Sequence, residues 1–174
     1  PDLTAPAVFS PEATTHAVLV AKAAGVACGL PAFGAAFEFL DPPPRVTVHK
    51  GDGQQVAPGD VLAEVQGTAR CILAAERTAL NFATHLSGIA TLTSRFVAAV
   101  AGTRATILDT RKTIPGLRRL EKHAVRCGGG TNHRMGLFDA AMLKDTHLDA
   151  AGSLPRAVEL LRARWGQEVK LVVE

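Results

Sequence analysis

Three cysteines occur in 174 residues, Cys28, Cys71 and Cys127, and none is spaced C-x-x-C. That scarcity speaks against a disulfide framework or a zinc knuckle and fits a reducing cytoplasm. No apolar run approaches the ~18 residues of a membrane-spanning helix, so no membrane segment is expected. The start, Pro1-Asp2-Leu3-Thr4, has neither an initiator Met nor a basic n-region, which argues against a signal peptide and implies that residues precede it. Low-complexity stretches are also missing. With 47% hydrophobic and 20% charged residues interspersed, the chain has the make-up of a folded domain rather than a disordered tail. It is nevertheless short of the ~250 residues of a complete α/β barrel.

The basic charge is concentrated in one stretch. Residues 1–103 carry six basic and eight acidic side chains, and residues 135–174 carry five and six. Between them, residues 104–134 hold Arg104, Arg111, Lys112, Arg118, Arg119, Lys122, Arg126 and Arg134 against Asp109 and Glu121, a local net charge of +6. Such an island points to an anionic partner. It contains no Phe, Trp or Tyr to stack on bases and no helix-turn-helix or zinc-finger spacing, so a small anion is expected rather than a nucleic acid. Arg118, Lys122 and Arg126 recur at i, i+4 and i+8, the spacing of one solvated helix face, beside which Glu121 can pair locally.

The pattern of elements predicts an α/β protein in two parts. In residues 1–103, the β-branched runs at 17–21, 45–48 and 61–65 read as strands, with Asp41 to Pro44 as a stiff connector. The stretch Gly53 to Leu62 has the turn pattern of lipoyl and biotinyl carriers, but no modifiable Lys at its tip, so it is read as architecture. From Cys71 to Ala101, Leu73, Leu80, Ala83, Leu86, Ile89, Phe96, Val97 and Val100 follow three-and-four spacing, predicting a helix, a break at Ser87-Gly88 and a second helix. In residues 104–174, apolar runs at 106–108, 141–143 and 169–173 alternate with helix-like stretches at ~30-residue intervals, the length of a βαβ unit. Each run is followed at once by reactive groups: Asp109-Thr110-Arg111-Lys112, Lys144-Asp145-Thr146-His147, and Glu174. Active sites of α/β barrels sit at the carboxyl ends of their strands, so three such placements in order mark a catalytic face.

Duller readings exist for single residues. Glu76 and Arg77 suit a surface pair, Lys144 and Asp145 suit a local pair at a strand end, and Gly128-Gly129-Gly130 suits a flexible connection as well as a phosphate cradle. His16, His49, His85 and His123 have no Cys or carboxylate at ligand spacing and read as structural or exposed. Cys127 reads as a packing residue whose pKa Arg126 would lower.

Five linked motifs carry a resemblance. Glu76-Arg77-Thr78-x-x-Asn81, Ser87-Gly88-Ile89-Ala90-Thr91, Asp109-Thr110-Arg111-Lys112-Thr113-x-Pro115-Gly116, Gly128-Gly129-Gly130-x-Asn132-His133-Arg134 and Lys144-Asp145-x-His147 together resemble the quinolinate phosphoribosyltransferases. These enzymes, also called carboxylating nicotinate-nucleotide pyrophosphorylases, serve NAD synthesis. The likeness implies a transferase that joins quinolinate to phosphoribosyl pyrophosphate, releasing pyrophosphate and CO2 to leave nicotinate mononucleotide. It also implies an N-terminal α/β sandwich (1–103) followed by the first βα units of an open α/β barrel (104–174), the remaining strands following Glu174 and an N-terminal helix preceding Pro1. A homodimer with shared active sites, or a higher oligomer, comes with the family.

By the same resemblance Arg77, Thr110, Arg111, His133, Arg134 and Lys144 bind the dicarboxylate, Arg77 reaching into the neighbouring subunit's site. Lys112 is suited to the phosphates. Lys112, Lys144 and Glu174 form the catalytic set, and Glu174 resembles the strand-end carboxylate that faces the ribosyl group and Mg²⁺. Three positions depart from the family pattern: Thr146 stands for Asn, His123 for Tyr, and Val172 for Glu. The departures admit a related phosphoribosyltransferase with another aromatic acid as acceptor, and the short length admits a non-catalytic dicarboxylate-binding or assembly module.

Overall fold

The structure is a computed structural model that describes residues 2–174. Its first compact unit comprises the described residues to 109 together with 114–132, the second 110–113 and 133–174. In the first unit the elements are α1 (Ala5–Val8), β1 (Thr14–Val20), β2 (Gly25–Val26), α2 (Leu30–Glu38), β3 (Arg45–Val48), β4 (Gln55–Val56), β5 (Val61–Thr68), α3 (Ala69–Ala99) and α4 (Arg118–Cys127). All three strands expected here form, and they pair as one antiparallel sheet in the order β1-β5-β3. Val65 of the central strand lies opposite Ala17 on one side and Val46 on the other, and all three pack into the core. On the other face Glu64 bridges His16 (3.0 Å) and His49 (3.1 Å), cross-strand contacts that hold its carboxyl below the usual range. The carrier-like turn pattern is architectural, as expected: β4 pairs with β2, and Gly59 takes a φ of +94° that a side chain rarely adopts.

The core lies between this sheet and the helices α2 and α3. Phe33 and Phe37 of α2 meet edge to face at 5.4 Å among Leu62, Val65 and Ile72. The expected break at Ser87-Gly88 is absent, and α3 runs unbroken through it. Its buried stripe, Ala69, Ile72, Ala75, Ala79, Ala83, Leu86, Ala90 and Thr93, continues across the glycine, so packing offsets the ~1 kcal/mol that a helical Gly costs. Ser87 adds to this by bonding the Cys28 backbone in both directions, accepting from its N–H (2.9 Å) and donating to its carbonyl (3.0 Å). Leu73 and Phe96, taken as part of the apolar face, are exposed, because the alanine stripe allows the sheet a closer approach.

Two expectations around the basic island also give way. The strand at 106–108 is reduced to a single parallel bridge between Leu108 and Thr131. Lys122 is not on a solvated face: it is buried, its ammonium paired with Asp109, and Asn132 Nδ2 donates to Asp109 Oδ2 (2.5 Å) and to the Lys122 carbonyl (2.7 Å). Glu121 is also buried, its carboxylate taken by His85 (3.0 Å) and by the Ile114 N–H (3.2 Å). Arg119 and Arg126 do face solvent.

The second unit contains β6 (Ala141–Leu143), α5 (Asp145–Ala151), α6 (Leu154–Trp165) and β7 (Leu171–Val173). The expected strand at 169–173 begins only at Leu171, because the Val169 carbonyl is taken by Arg162 Nη1 (2.7 Å) from the end of α6. β6 and β7 are parallel neighbours with helices in the connection, the βαβ arrangement that the spacing predicted. No helix among the described residues is long and apolar enough to cross a membrane.

Candidate active site

Parallel pairing decides what stands together at the strand ends. Leu143 is in register with Val173, so the residues that follow, Lys144 and Glu174, leave the sheet side by side. The Glu174 N–H donates to the Leu143 carbonyl (2.9 Å), and the Lys144 ammonium pairs with Glu174 Oε2. The local alternative, a Lys144–Asp145 pair, does not form; Asp145 Oδ1 instead accepts from the Thr146 N–H (2.7 Å). Lys144 donates its own N–H to His147 Nδ1 (3.1 Å), which ties the first turn of α5 to the strand end.

Lys144 holds the Glu174 carboxyl below the usual glutamate range, first by hydrogen bonding and then by charge, with Lys112 adding to the effect. A depressed carboxylate pKa means that the pair contributes above the ordinary glutamate value and fades as pH falls through the lowered one. Lys144→Met is therefore expected to move the Glu174 midpoint up toward the ordinary range, read by carbon-13 NMR of its side-chain carboxyl. An unmoved midpoint would show that the pair does not form in solution.

The remaining expected residues of this unit are held by short-range bonds. Thr110 Oγ1 accepts from the Lys112 N–H (3.0 Å), closing the tight turn that carries Arg111 between them. Thr110 and Lys112 are exposed, and Arg111 is half-buried. His133 Nδ1 accepts from the Arg134 N–H (2.8 Å), which places the proton of a neutral ring on Nε2. The Arg134 guanidinium lies along β6, with Nη1 donating to the Ala140 carbonyl (3.2 Å) and Nη2 to Met142 Sδ (3.4 Å). Three of its five N–H donors remain for a ligand among the described residues.

Thr110, Arg111, Lys112, His133, Arg134, Lys144 and Glu174 thus all belong to one compact unit. They combine four cations with one carboxylate. Arg77 lies on α3, exposed and without a hydrogen bond or ion pair among the described residues, so the alternative reading of a surface pair with Glu76 does not hold. A cavity of about 480 Å³ along β1, β2 and α3 has mainly apolar walls and includes none of these eight residues.

The glycine run at 128–130, in the first unit, is a packing device rather than a slack connection. A Cβ at Gly128 would lie 2.3 Å from the Ala90 carbonyl oxygen, and one at Gly130 would lie 2.8 Å from Val125 Cγ1. Glycine there lets the chain leaving α4 pass directly against α3.

The buried Asp109–Lys122–Asn132 network went unseen in the sequence, although Asp109 and Asn132 lie within the quoted motifs. His16, His49, His85 and His123 are structural or exposed, as read, and each also reaches a carboxylate that the sequence spacing did not show. His123 Nε2 lies 2.8 Å from Asp52 Oδ2 and 3.4 Å from Cys127 Sγ. Cys127 keeps a raised pKa, because burial outweighs Arg126. The one available clue was that His123 and Cys127 stand at i and i+4 on a helix.

Comparison with known proteins gives a consistent result over nearly the whole chain. Residues 2–87 match the family model "Quinolinate phosphoribosyl transferase, N-terminal domain", and residues 89–174 match "Quinolinate phosphoribosyl transferase, C-terminal domain". A probable carboxylating nicotinate-nucleotide pyrophosphorylase of Bacillus subtilis is 43% identical over 173 residues, covering 99% of this chain and 60% of the relative. The Mycobacterium leprae carboxylating nicotinate-nucleotide pyrophosphorylase is 54% identical over 119 residues, 68% of this chain and 42% of its own length. Among solved structures, NadC from Streptococcus pyogenes superposes with a TM-score of 0.91 at 42% identity, over 99% of this chain and 62% of that one. The chain therefore spans roughly two fifths to three fifths of the relatives it matches.

Proposed function

Since the chain belongs to the quinolinate phosphoribosyltransferase family, we propose that it serves phosphoribosyl transfer from phosphoribosyl pyrophosphate to quinolinate, with decarboxylation to nicotinate mononucleotide in NAD synthesis. The observation that carries this reading is that Arg111, Lys112, Arg134 and Lys144 share one compact unit with Glu174, whose carboxylate pairs with Lys144 and feels the charge of Lys112. A planar dicarboxylate suits guanidinium forks, and Arg134 keeps donors available for one. Arg111, His133 and Thr110 complete the dicarboxylate site in this reading, and Lys112, on an exposed turn, meets the phosphates.

The pyridine nitrogen displaces pyrophosphate from the ribosyl carbon through a state with oxocarbenium character, so positioning and charge contribute most. The pyridinium so formed accepts the electron pair left when CO2 departs, and a proton then replaces the carboxylate. Lys144 acts beside Glu174, which orders the ribosyl hydroxyls. Mg²⁺ on a diphosphate needs only one or two protein carboxylates. Glu174 fits as that ligand once Lys144 turns to substrate, because Asp109 is committed to Lys122 and Asn132. Mg²⁺ would there neutralise phosphate charge. Arg77, exposed on α3 and unpaired among the described residues, is the group we assign to a second copy's site in a homodimer. The three cysteines are free, which suits the reducing cytoplasm as the compartment.

Calorimetric titration with quinolinate, with nicotinate as the one-carboxylate control, tests the assignment. Binding is expected to prefer quinolinate strongly. Arg134→Ala is expected to cost ~1.5–3 kcal/mol, roughly a 10- to 150-fold loss of affinity. Unchanged affinity in a folded Arg134→Ala protein would remove the dicarboxylate site from this place. Val172 and Thr146 favour a second reading, another aromatic acid as acceptor, which a panel of pyridine and benzene carboxylates separates from the first.

A further inference from the structure

Four side chains that play no part in that reaction converge in the first unit. Cys28 follows β2, Asp52 lies in the turn between β3 and β4, and His123 and Cys127 occupy successive turns of one face of α4. Their donor atoms all lie within 4.8 Å of one another. Three of the separations are short: 2.8 Å from His123 Nε2 to Asp52 Oδ2, 3.4 Å from Cys127 Sγ to His123 Nε2, and 3.6 Å from Cys28 Sγ to Asp52 Oδ2. Zinc–ligand bonds of ~2.0–2.3 Å place tetrahedral ligands about 3.3–3.8 Å apart, so small side-chain adjustments bring the four onto one ion. We propose that Cys28, Asp52, His123 and Cys127 form a structural tetrahedral site for a divalent transition metal of the zinc class, which staples α4 to the loops around β2 and β4.

The surroundings orient the ligands as such a site requires. The Leu30 N–H holds Asp52 Oδ1 (3.0 Å) and leaves Oδ2 facing the thiols. Ser87 pins the Cys28 backbone from α3. Cys28 is fully buried while the His123 side chain is 39% exposed, so an ion enters from the histidine side. Thiol, thiol, imidazole and carboxylate are a donor set that favours zinc or cobalt over magnesium or calcium, which prefer oxygen. Two thiolates and a carboxylate around a divalent ion leave one negative charge, and the Arg126 guanidinium stands beside it, 3.5 Å from His123 Nδ1. Ligation through Nε2 puts a proton on Nδ1, so Arg126, which is exposed, swings outward on loading. Without an ion, burial and then Asp52 keep the Cys28 thiol protonated, and binding releases the thiol protons.

Cobalt titration of the reduced, chelator-stripped protein tests the site, with zinc as competitor. One equivalent of Co²⁺ is expected to give thiolate-to-cobalt charge transfer and the strong visible bands of a tetrahedral ion, both abolished by one equivalent of Zn²⁺. Cys127→Ser and His123→Phe, checked for fold by circular dichroism, are expected to weaken binding at least about tenfold, the loss typical even for a hydrogen-bonding partner of a ligand. Zinc is expected to raise the thermal midpoint of the parent protein and not that of Cys127→Ser. Weak octahedral bands, binding indifferent to both substitutions, or a Cys28–Cys127 disulfide in place of metal in protein prepared without reductant would each overturn the proposal. Substrate binding need not change in either case, so the outcome is independent of the proposed activity.

Discussion

Replacing Lys122 with Met is expected to destabilise the protein by about 3–5 kcal/mol, the cost of removing one partner from a buried ion pair. The Lys122 and Asp109 side chains are 1% and 6% exposed, so water cannot take the place of the lost ammonium. The Asp109 carboxylate would keep the Asn132 amide but lose the cation that its burial requires. The double variant Asp109→Asn/Lys122→Met removes both charges and is expected to recover much of the loss, because an uncharged pair carries no buried ion. Urea unfolding of the parent, the two single variants and the double variant measures this coupling. A loss below about 1 kcal/mol in Lys122→Met would mean that the pair is open to water in solution. Because Asp109 immediately precedes Thr110 and Arg111 in the chain, the single variant is also expected to weaken the proposed binding of quinolinate without touching the ligand.

Phe37→Ala is the second large effect, at about 3–5 kcal/mol from lost burial and the cavity left behind. Phe37 is 2% exposed and joins α2 to the sheet and α3 through Phe33, Val65 and Ile72. Phe39, two residues on, is 89% exposed, and Phe39→Ala is expected to stay within about 0.5 kcal/mol. The same chemical truncation at neighbouring positions isolates packing from propensity. Equal losses in the two variants, read from urea midpoints, would contradict the placement of α2.

Much of this was legible in one dimension. The strands around Ala17, Val46 and Val65 follow from β-branched runs between Gly and Pro, and these residues do line the core. Four of the five motifs lie within one or other matched family domain, and the fifth, Ser87 to Thr91, spans the junction between them. The placement of Lys144 and Glu174 after apolar runs anticipated a pair that parallel register then brought together. Other features resisted reading because periodicity names a face without saying which face is covered. In α3 the leucine and phenylalanine spacing competed with an alanine spacing, and the alanines won because small side chains let the sheet and α2 come close. Ser87-Gly88 looked like a break because the partner that holds it, Cys28, is far away in the chain.

The sequence by itself determined the family, the βαβ rhythm of the second half and the chemical type of the strand-end groups. These depend on residue identity at fixed spacing, which no fold has to supply. Only the tertiary structure decided which charges leave water. Lys122 and Arg126 stand one turn apart on α4, yet one is buried against Asp109 and the other is exposed. Likewise Cys28, Asp52, His123 and Cys127 carry no local motif across the span that separates them. Burial and donor convergence are set by neighbours distant in the chain, and those are fixed only when the sheet, α3 and α4 pack.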